Sequence, residues 1–159
     1  MTSILKVDSI QNAAGKPILN STGAVLQVVQ QIYDTPTNTT SSTYADTGVT
    51  MSITPSSTSS KILVLGQLSL GNTSGDENNN VQLLRGSTVI RIAERIERDS
   101  STGLSVSYNA FTFLDSPSTT NATTYKFQYR TSGGALRIND YDGTSGNSFS
   151  SITLIEIAG

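Results

Sequence analysis

The feature that most constrains the fold of this chain is the alternation of apolar and polar residues from residue 25 onward. In residues 49–53, valine, methionine and isoleucine alternate with threonine and serine, which is the pattern of a half-buried β-strand. Residues 125–130 likewise place three aromatic side chains on one face and three polar ones on the other. Such runs recur between turns rich in Ser, Thr, Asn and Gly. The sequence therefore predicts an all-β protein, an antiparallel β-sandwich of about nine strands with a jelly-roll-like topology.

The composition argues against several classes of function. The chain has no Cys and no His, so thiolate and imidazole chemistry and the commonest zinc ligands are missing. Ten basic and twelve acidic residues give a net charge of −2, which disfavours nucleic-acid binding. No apolar run approaches the ~20 residues of a membrane span, and the N-terminus lacks the pattern of a signal peptide. We therefore expect a non-enzymatic protein without cofactor, metal, nucleic-acid partner or membrane insertion.

The first 24 residues differ from the rest of the chain. Short apolar pieces alternate there with turn signals at residues 14–17 and 20–23, and such pieces cannot build a core alone. A frayed terminus is the alternative, but the regular apolar spacing favours a segment that docks on another surface. The sequence thus predicts an arm at residues 1–24 and a sandwich domain at residues 25–159. The predicted anchoring residues of the arm are Ile4, Leu5, Val7, Ile10, Ile18 and Leu19.

Two predicted strands are apolar on both faces. Residues 61–70 are one of them, and such a strand is central in its sheet or lies at a subunit contact. In the last strand, Ile152 and Leu154 lie on one face while Ile155 and Ile157 lie on the other. A β-bulge near Leu154 would reconcile this, as would burial of both faces. We interpret these four residues as a subunit interface.

Residues 89–98 are ambiguous, because Ile90, Ile92 and Ile96 fit a strand while other apolar residues of the segment fit a helix. The neighbouring segments are strands, so a strand is favoured.

Two polar loops are candidates for contact with a receptor. A tyrosine can stack on a sugar ring while Asn and Asp side chains bond its hydroxyl groups. Acidic residues near Gly143 also suggest a calcium loop, but the full motif is absent, so a solvated turn is expected there. The candidate contacts are Asp76, Glu77, Asn78, Asn79, Asn80, Tyr141 and Asp142.

Several blocks of sequence together resemble a known family. They are residues 4–12 (ILKVDSIQN), 52–64 (SITPSSTSSKILV), 83–88 (LLRGST), 114–126 (LDSPSTTNATTYK) and 151–159 (SITLIEIAG). The chain resembles a family of small virion fibre or knob proteins of tailed bacteriophages. These proteins are often described as tail-fibre-like and are common in aquatic phages. The similarity extends over nearly the whole chain, is weaker in residues 71–103, and carries no catalytic motif.

The resemblance implies a virion structural protein that is assembled in the cytoplasm of a bacterial host. It implies a homotrimer whose N-terminal arm joins other virion proteins of the tail, baseplate or capsid, and whose sandwich meets the host surface and its glycans. Two alternatives stay open at this point. The first is a capsid fibre or decoration protein, and the second is a free carbohydrate-binding module or adhesin, for which a docking arm has no use.

Overall fold

The computed structural model describes residue 13 and residues 22–73, 78–97, 105–140 and 148–159. Within these ranges the chain forms ten β-strands, and no helix there is long and apolar enough to cross a membrane. The strands are β1 (Val25–Tyr33), β2 (Thr37–Thr39), β3 (Ala45–Ile53), β4 (Lys61–Asn72), β5 (Asn79–Arg85), β6 (Thr88–Glu97), β7 (Ser105–Asp115), β8 (Thr123–Thr131), β9 (Leu136–Ile138) and β10 (Ser150–Ile157).

The first sheet is organised around β4. Along one side, β4 pairs antiparallel with β7 over its whole length. Along the other side it pairs with β10 and then, further along, with β9. Beyond these two, β1 pairs with β10 and β2 pairs with β9. The sheet therefore has four rows, in the order β1/β2, β10/β9, β4 and β7.

The second sheet has the order β3, β8, β5, β6, again with antiparallel neighbours. If the eight rows are numbered along the chain, the first sheet contains rows 1, 8, 3 and 6, and the second contains rows 2, 7, 4 and 5. This strand order is that of a jelly roll, in which two Greek keys form two packed sheets. The predicted antiparallel β-sandwich and its jelly-roll topology are confirmed.

The core lies between the two sheets and is built by the alternating patterns seen in the sequence. Tyr125, Phe127 and Tyr129 of β8 are buried and face the buried apolar residues of the first sheet, such as Val64 and Leu154. The Phe127 ring also packs against Phe111 of β7, with ring centroids 5.2 Å apart. Alternating residues of both sheets thus share one hydrophobic core, as expected for stacked sheets.

Three details of the strand assignment resolve questions that the sequence left open. Residues 88–97 form a strand, as favoured. β10 keeps continuous register with β4, and the irregularity in its pairing with β1 lies between Val25 and Gln27, so the bulge considered near Leu154 is absent. β2 was not predicted, because its three residues are all polar and give no apolar pattern.

The antiparallel order gives the sandwich two distinct ends. One end, here called the base, holds Val25, the 54–60 loop and Ile157. The opposite end, here called the distal end, holds the connections between β1 and β3, β4 and β5, β6 and β7, and β8 and β10. At the base, Gly23 N–H donates to the Ala158 carbonyl and Ala158 N–H donates to the Ala24 carbonyl, each at 2.8 Å.

A buried carboxylate holds the base together. Glu156 of β10 is fully buried and accepts hydrogen bonds from the Ser56 N–H and hydroxyl, each at 2.7 Å, and from the Gln27 side chain at 2.5 Å. Burial by itself would raise the pKa of Glu156, but the hydrogen bonds from Ser56 and Gln27 outweigh it and hold the pKa at about 2. The carboxylate therefore joins β1, β10 and the 54–60 loop.

A second buried group ties the two sheets together at the same end. Asp115, at the end of β7, accepts two 2.9 Å bonds from Arg85 of β5 and a 2.7 Å bond from the Tyr125 hydroxyl of β8. Burial and the hydrogen bond to Asp115 raise the pKa of Tyr125, so its hydroxyl remains a donor. Asp115 thus connects a strand of the first sheet to two strands of the second.

The environment of Glu156 predicts an acid-sensitive stability. Because its pKa is about 2 in the folded chain and 4.5 in the unfolded reference, its stabilisation is complete above pH 4.5 and is lost as the pH falls towards 2. The free energy of unfolding falls by about 3 kcal/mol over this pH range. Urea unfolding between pH 5 and pH 2 measures it. Ser56→Ala removes one donor and should shrink the pH-dependent part, and an unchanged pH dependence in Glu156→Gln would refute the assignment.

The contacts of Asp115 predict that a single conservative substitution there lowers the free energy of unfolding strongly. Asp115→Asn removes the charge that Arg85 and Tyr125 contact, and we expect it to lower the free energy of unfolding by about 3 kcal/mol. Asp46→Asn is the matched control, because the Asp46–Lys126 pair is exposed and is worth under ~1 kcal/mol. Urea unfolding of both variants at one protein concentration tests this, and equal losses would contradict it.

Candidate functional surfaces

The outer face of the first sheet carries an unbroken apolar row. The register places Val28 of β1 opposite Ile155 of β10, Ile155 opposite Leu63 of β4, and Leu63 opposite Leu114 of β7. Four neighbouring strands therefore present apolar side chains in line, over about 14 Å at the usual strand spacing. Further apolar residues lie on either side of the row. We call this surface the outer apolar face; it comprises Val25, Val28, Ile32, Leu63, Leu65, Leu114, Ile155 and Ile157.

Much of this face is open to solvent in the single chain. The side chains of Val25, Val28 and Ile32 are 61%, 56% and 55% exposed, and that of Leu114 is 48% exposed. Soluble monomers rarely leave contiguous apolar patches of this kind uncovered, and such patches mark interaction sites.

The outer face of the second sheet carries a group of paired polar side chains. There the Asp46 carboxylate accepts from Lys126 at 3.0 Å and from Gln128 at 2.7 Å, and Gln128 accepts from Gln82 at 2.6 Å. Cross-strand bonds of this kind satisfy polar groups in a solvated sheet. The same face carries exposed Val89 and Ile92 on its edge strand β6, so its polar part is the region around Asp46, Lys126 and Gln128.

The structure separates the four residues that were predicted to form the subunit interface. Ile152 and Leu154 are fully buried in the core of their own sandwich, since β10 alternates without a bulge. They therefore do not belong to a surface. Ile155 and Ile157 are part of the outer apolar face and are only partly covered.

The predicted anchoring residues of the arm, Ile4, Leu5, Val7, Ile10, Ile18 and Leu19, lie outside the described residues. The first described stretch after them, residues 22–24, is tied to Ala158 by the hydrogen bonds given above. The described residues that precede β1 therefore lie at the base of the sandwich. These bonds also show that residues 23 and 24 contact the sandwich, so a truncation that spares the domain ends at residue 21.

Only three of the candidate receptor contacts lie within the described residues. Asn78 is exposed just before β5 at the distal end, whereas Asn79 and Asn80 begin β5 and are buried. Asp76, Glu77, Tyr141 and Asp142 lie outside the described residues. Among the described residues, no group of three acidic, His or Cys side chains is placed to hold a metal ion.

A polar depression lies on the second sheet at this distal end. Asn80 of β5 is opposite Arg130 of β8, and Glu94 of β6 lines the same depression. The Arg130 guanidinium lies over the Tyr44 ring, 4.9 Å from its centroid. We call this surface the distal polar depression; it comprises Ser42, Tyr44, Asn78, Asn80, Glu94, Arg130, Thr131 and Ser132.

Two of these residue sets escaped the sequence analysis. Val28, Leu63 and Leu114 extend the row of Ile155, but their alignment depends on the pairing of strands that are distant in the chain. Tyr44 and Arg130 come together through the pairing of β3 with β8. No local motif marks either set, although the two-faced apolar pattern of β4 was a signal for the first.

Comparison with known proteins gives no family. No protein-family model matches the chain, and no curated protein matches it. Solved structures with a similar fold include the VP2 subviral particle of infectious bursal disease virus, at 12% identity and a TM-score of 0.44, over 84% of this chain and 38% of that one. The T=1 particle derived from the same virus has 12% identity and a TM-score of 0.47, over 96% of this chain and 41% of that one. Dimeric latent PorU from Porphyromonas gingivalis has 10% identity and a TM-score of 0.39, over 94% of this chain and 14% of that one.

This chain thus spans about two fifths of the length of the two viral proteins. Because the identities are far below 25% and the TM-scores lie below 0.5, no conclusion about function follows from these likenesses.

Proposed function

We propose that this protein is a non-enzymatic structural protein of a bacteriophage virion, a fibre or knob that its N-terminal arm attaches to the particle. In this proposal three chains form a homotrimer through their outer apolar faces, and the distal ends meet the host surface. The partners are further copies of the chain, other virion proteins and host surface glycans.

The observation that carries the proposal is the polarity of the sandwich. The arm joins the domain at the base, where residues 23 and 24 bond to Ala158. At the opposite end β4 stops at Asn72 and β5 starts at Asn79, and these are the described ends of the first candidate receptor loop. A protein that must hold a particle at one end and touch a surface with the other needs this arrangement. The jelly roll is also a fold that viral particles and lectins both use, and the family resemblance of the sequence points to the first of these.

The outer apolar face supports self-association. A second copy is its proposed occupant, because the face carries almost no charge beyond Lys61 at its base edge and so meets an identical face without like-charge repulsion. Each fully buried Leu, Ile or Val side chain stabilises an interface by roughly 1.5–3 kcal/mol. Two or three such side chains per subunit, repeated by cyclic symmetry, are enough to hold an oligomer. The choice of a trimer over a dimer rests on the family resemblance.

The second candidate function is a free carbohydrate-binding module. The distal polar depression favours it, since an aromatic ring, amides and charged groups lie together there. Detection of the protein on purified particles, by labelling and electron microscopy, separates the two functions. A protein absent from particles would contradict the proposed function.

Deletion of residues 1–21 tests the arm. The hydrogen bonds of residues 23 and 24 remain in this variant, so we expect a folded, soluble β-domain with the circular dichroism of the full chain. We also expect that the variant no longer enters phage particles when it is supplied during assembly. Normal incorporation of the truncated protein, or its failure to fold, would show that residues 1–21 are not a separate anchor.

Light scattering of the recombinant protein tests the outer apolar face. We expect the mass of three 16.8 kDa chains at micromolar concentration, and we expect Ile155→Asp to dissociate them, because it places a charge in the middle of the apolar row. Ile157→Asp should weaken the oligomer less, since it lies nearer the base edge.

Ser52→Asp is the control for this experiment, since Ser52 is exposed on the outer face of the other sheet and bonds only Thr124 among the described residues. It adds the same charge and should leave the mass unchanged. A monomeric wild type, or an oligomer that tolerates Ile155→Asp, would remove the proposed interface.

A further inference from the structure

We infer that the distal polar depression binds a sugar ring that carries an anionic group, such as the carboxylate of a uronic acid. This inference rests on the proposed function, because it names the class of ligand that the distal end would recognise on a host surface. The observation behind it is the set of contacts that Arg130 makes. Among the described residues, Arg85, Lys126 and Arg137 each pair with a carboxylate. Arg130 instead lies over the Tyr44 ring. Arg91 also lies over an aromatic ring, that of Phe113, but it lines a different pocket.

The Tyr44 ring holds the guanidinium in place without neutralising it. Stacking on an aromatic face orients the planar guanidinium and leaves its N–H groups directed outward along their edge. A guanidinium in this state matches a carboxylate or a phosphate, whose two oxygens can accept parallel N–H bonds. Arg130 therefore provides an oriented anion-binding group in the depression.

The opposite side of the depression has the opposite charge. Glu94 lies on β6, two strands away from Arg130 and thus about 10 Å away at the usual spacing, with Asn80 of β5 between them. A carboxylate accepts hydrogen bonds from hydroxyl groups and repels an anion. The ligand that fits both sides carries its negative charge at one end and hydroxyl groups at the other, which is the chemistry of a uronic acid or a sugar phosphate.

The depression is small and open. Its two adjoining parts have volumes of about 190 and 200 Å³, and each part alone is below the ~300 Å³ at which pockets for drug-sized ligands begin, so one part suits a single sugar ring. The exposed Asn78 and Ser42 at the rim add groups that can bond ring hydroxyls. A terminal or branching anionic sugar of a surface polysaccharide fits these dimensions.

Ligand-observed NMR on the full recombinant chain tests the inference. The probes are D-glucuronate and glucose 6-phosphate, with D-glucose as the neutral control and inorganic phosphate as the control for anion binding alone. We expect saturation transfer to the ring protons of both anionic sugars and at least tenfold weaker binding of glucose. Inorganic phosphate should compete only weakly, since it lacks the hydroxyl groups that Glu94 accepts.

Arg130→Gln and Lys126→Gln form the matched pair of variants. Both remove one positive charge from the outer face of the same sheet, but Lys126 is committed to Asp46. We expect Arg130→Gln to weaken glucuronate binding at least tenfold and Lys126→Gln to leave it unchanged, with the fold of each checked by circular dichroism. Arg130→Lys, which keeps the charge but loses the planar fork, should bind at an intermediate level and serves if Arg130→Gln does not fold.

Equal binding of glucose and glucuronate, equal competition by inorganic phosphate, or equal effects of the two charge-removing variants would each overturn the inference. These outcomes leave the proposed virion role standing, because detection of the protein on particles is a separate measurement. Conversely, a chain that binds glucuronate through Arg130 but is absent from particles would retain this inference and lose the proposed function.

Discussion

The double-sided apolar character of β4 is the constraint on which the rest of this structure depends. One face of β4 supplies Ile62, Val64 and Leu68 to the core, and its two edges pair with β7 and with β10 and β9. Its other face presents Leu63 and Leu65 to the outside, where no further layer of the described residues covers them. Within the described part of the chain, only one of the two apolar faces of β4 is therefore fully buried.

The two buried carboxylates show how the base end is fixed around this central strand. Glu156 is held by neutral donors from β1 and the 54–60 loop, while Asp115 is held by Arg85 and Tyr125 of the opposite sheet. Each group therefore joins elements that are distant in the chain. The distal end is joined by neutral groups instead, since Asn72 of β4 donates to Asn79 of β5 at 2.7 Å and the Ser150 hydroxyl of β10 donates to Asn139 at 2.7 Å, both buried.

The sequence predicted the sandwich and its topology class because apolar alternation reports directly on burial, as in residues 49–53 and 125–130. It predicted neither the inward position of Glu156 nor β2. A glutamate between Ile155 and Ile157 gives no sign of the three hydrogen-bond donors that surround it. The strand Thr37–Thr39 is held by backbone pairing with β9 and by a hydrogen bond from the Thr37 hydroxyl to the Thr47 carbonyl, neither of which a local pattern shows. The partners of Ile155 and the contact of Tyr44 with Arg130 depend on strand order and register, which the pattern of a single strand does not contain.

The antiparallel pairing of β1 with β10 also has a mechanical consequence. The chain enters β1 at the base, and β1 runs towards the distal end beside the antiparallel β10. The paired residues extend from Val25↔Ile157 at the base to Tyr33↔Ser150. Tension between residue 22 and the distal loops therefore acts parallel to the strands and loads the hydrogen bonds of this ladder together, in shear. Peeling, in which the bonds would break one after another at low force, requires a pull perpendicular to the strands. A domain tethered in this way resists drag along its long axis best, in the direction from base to distal end.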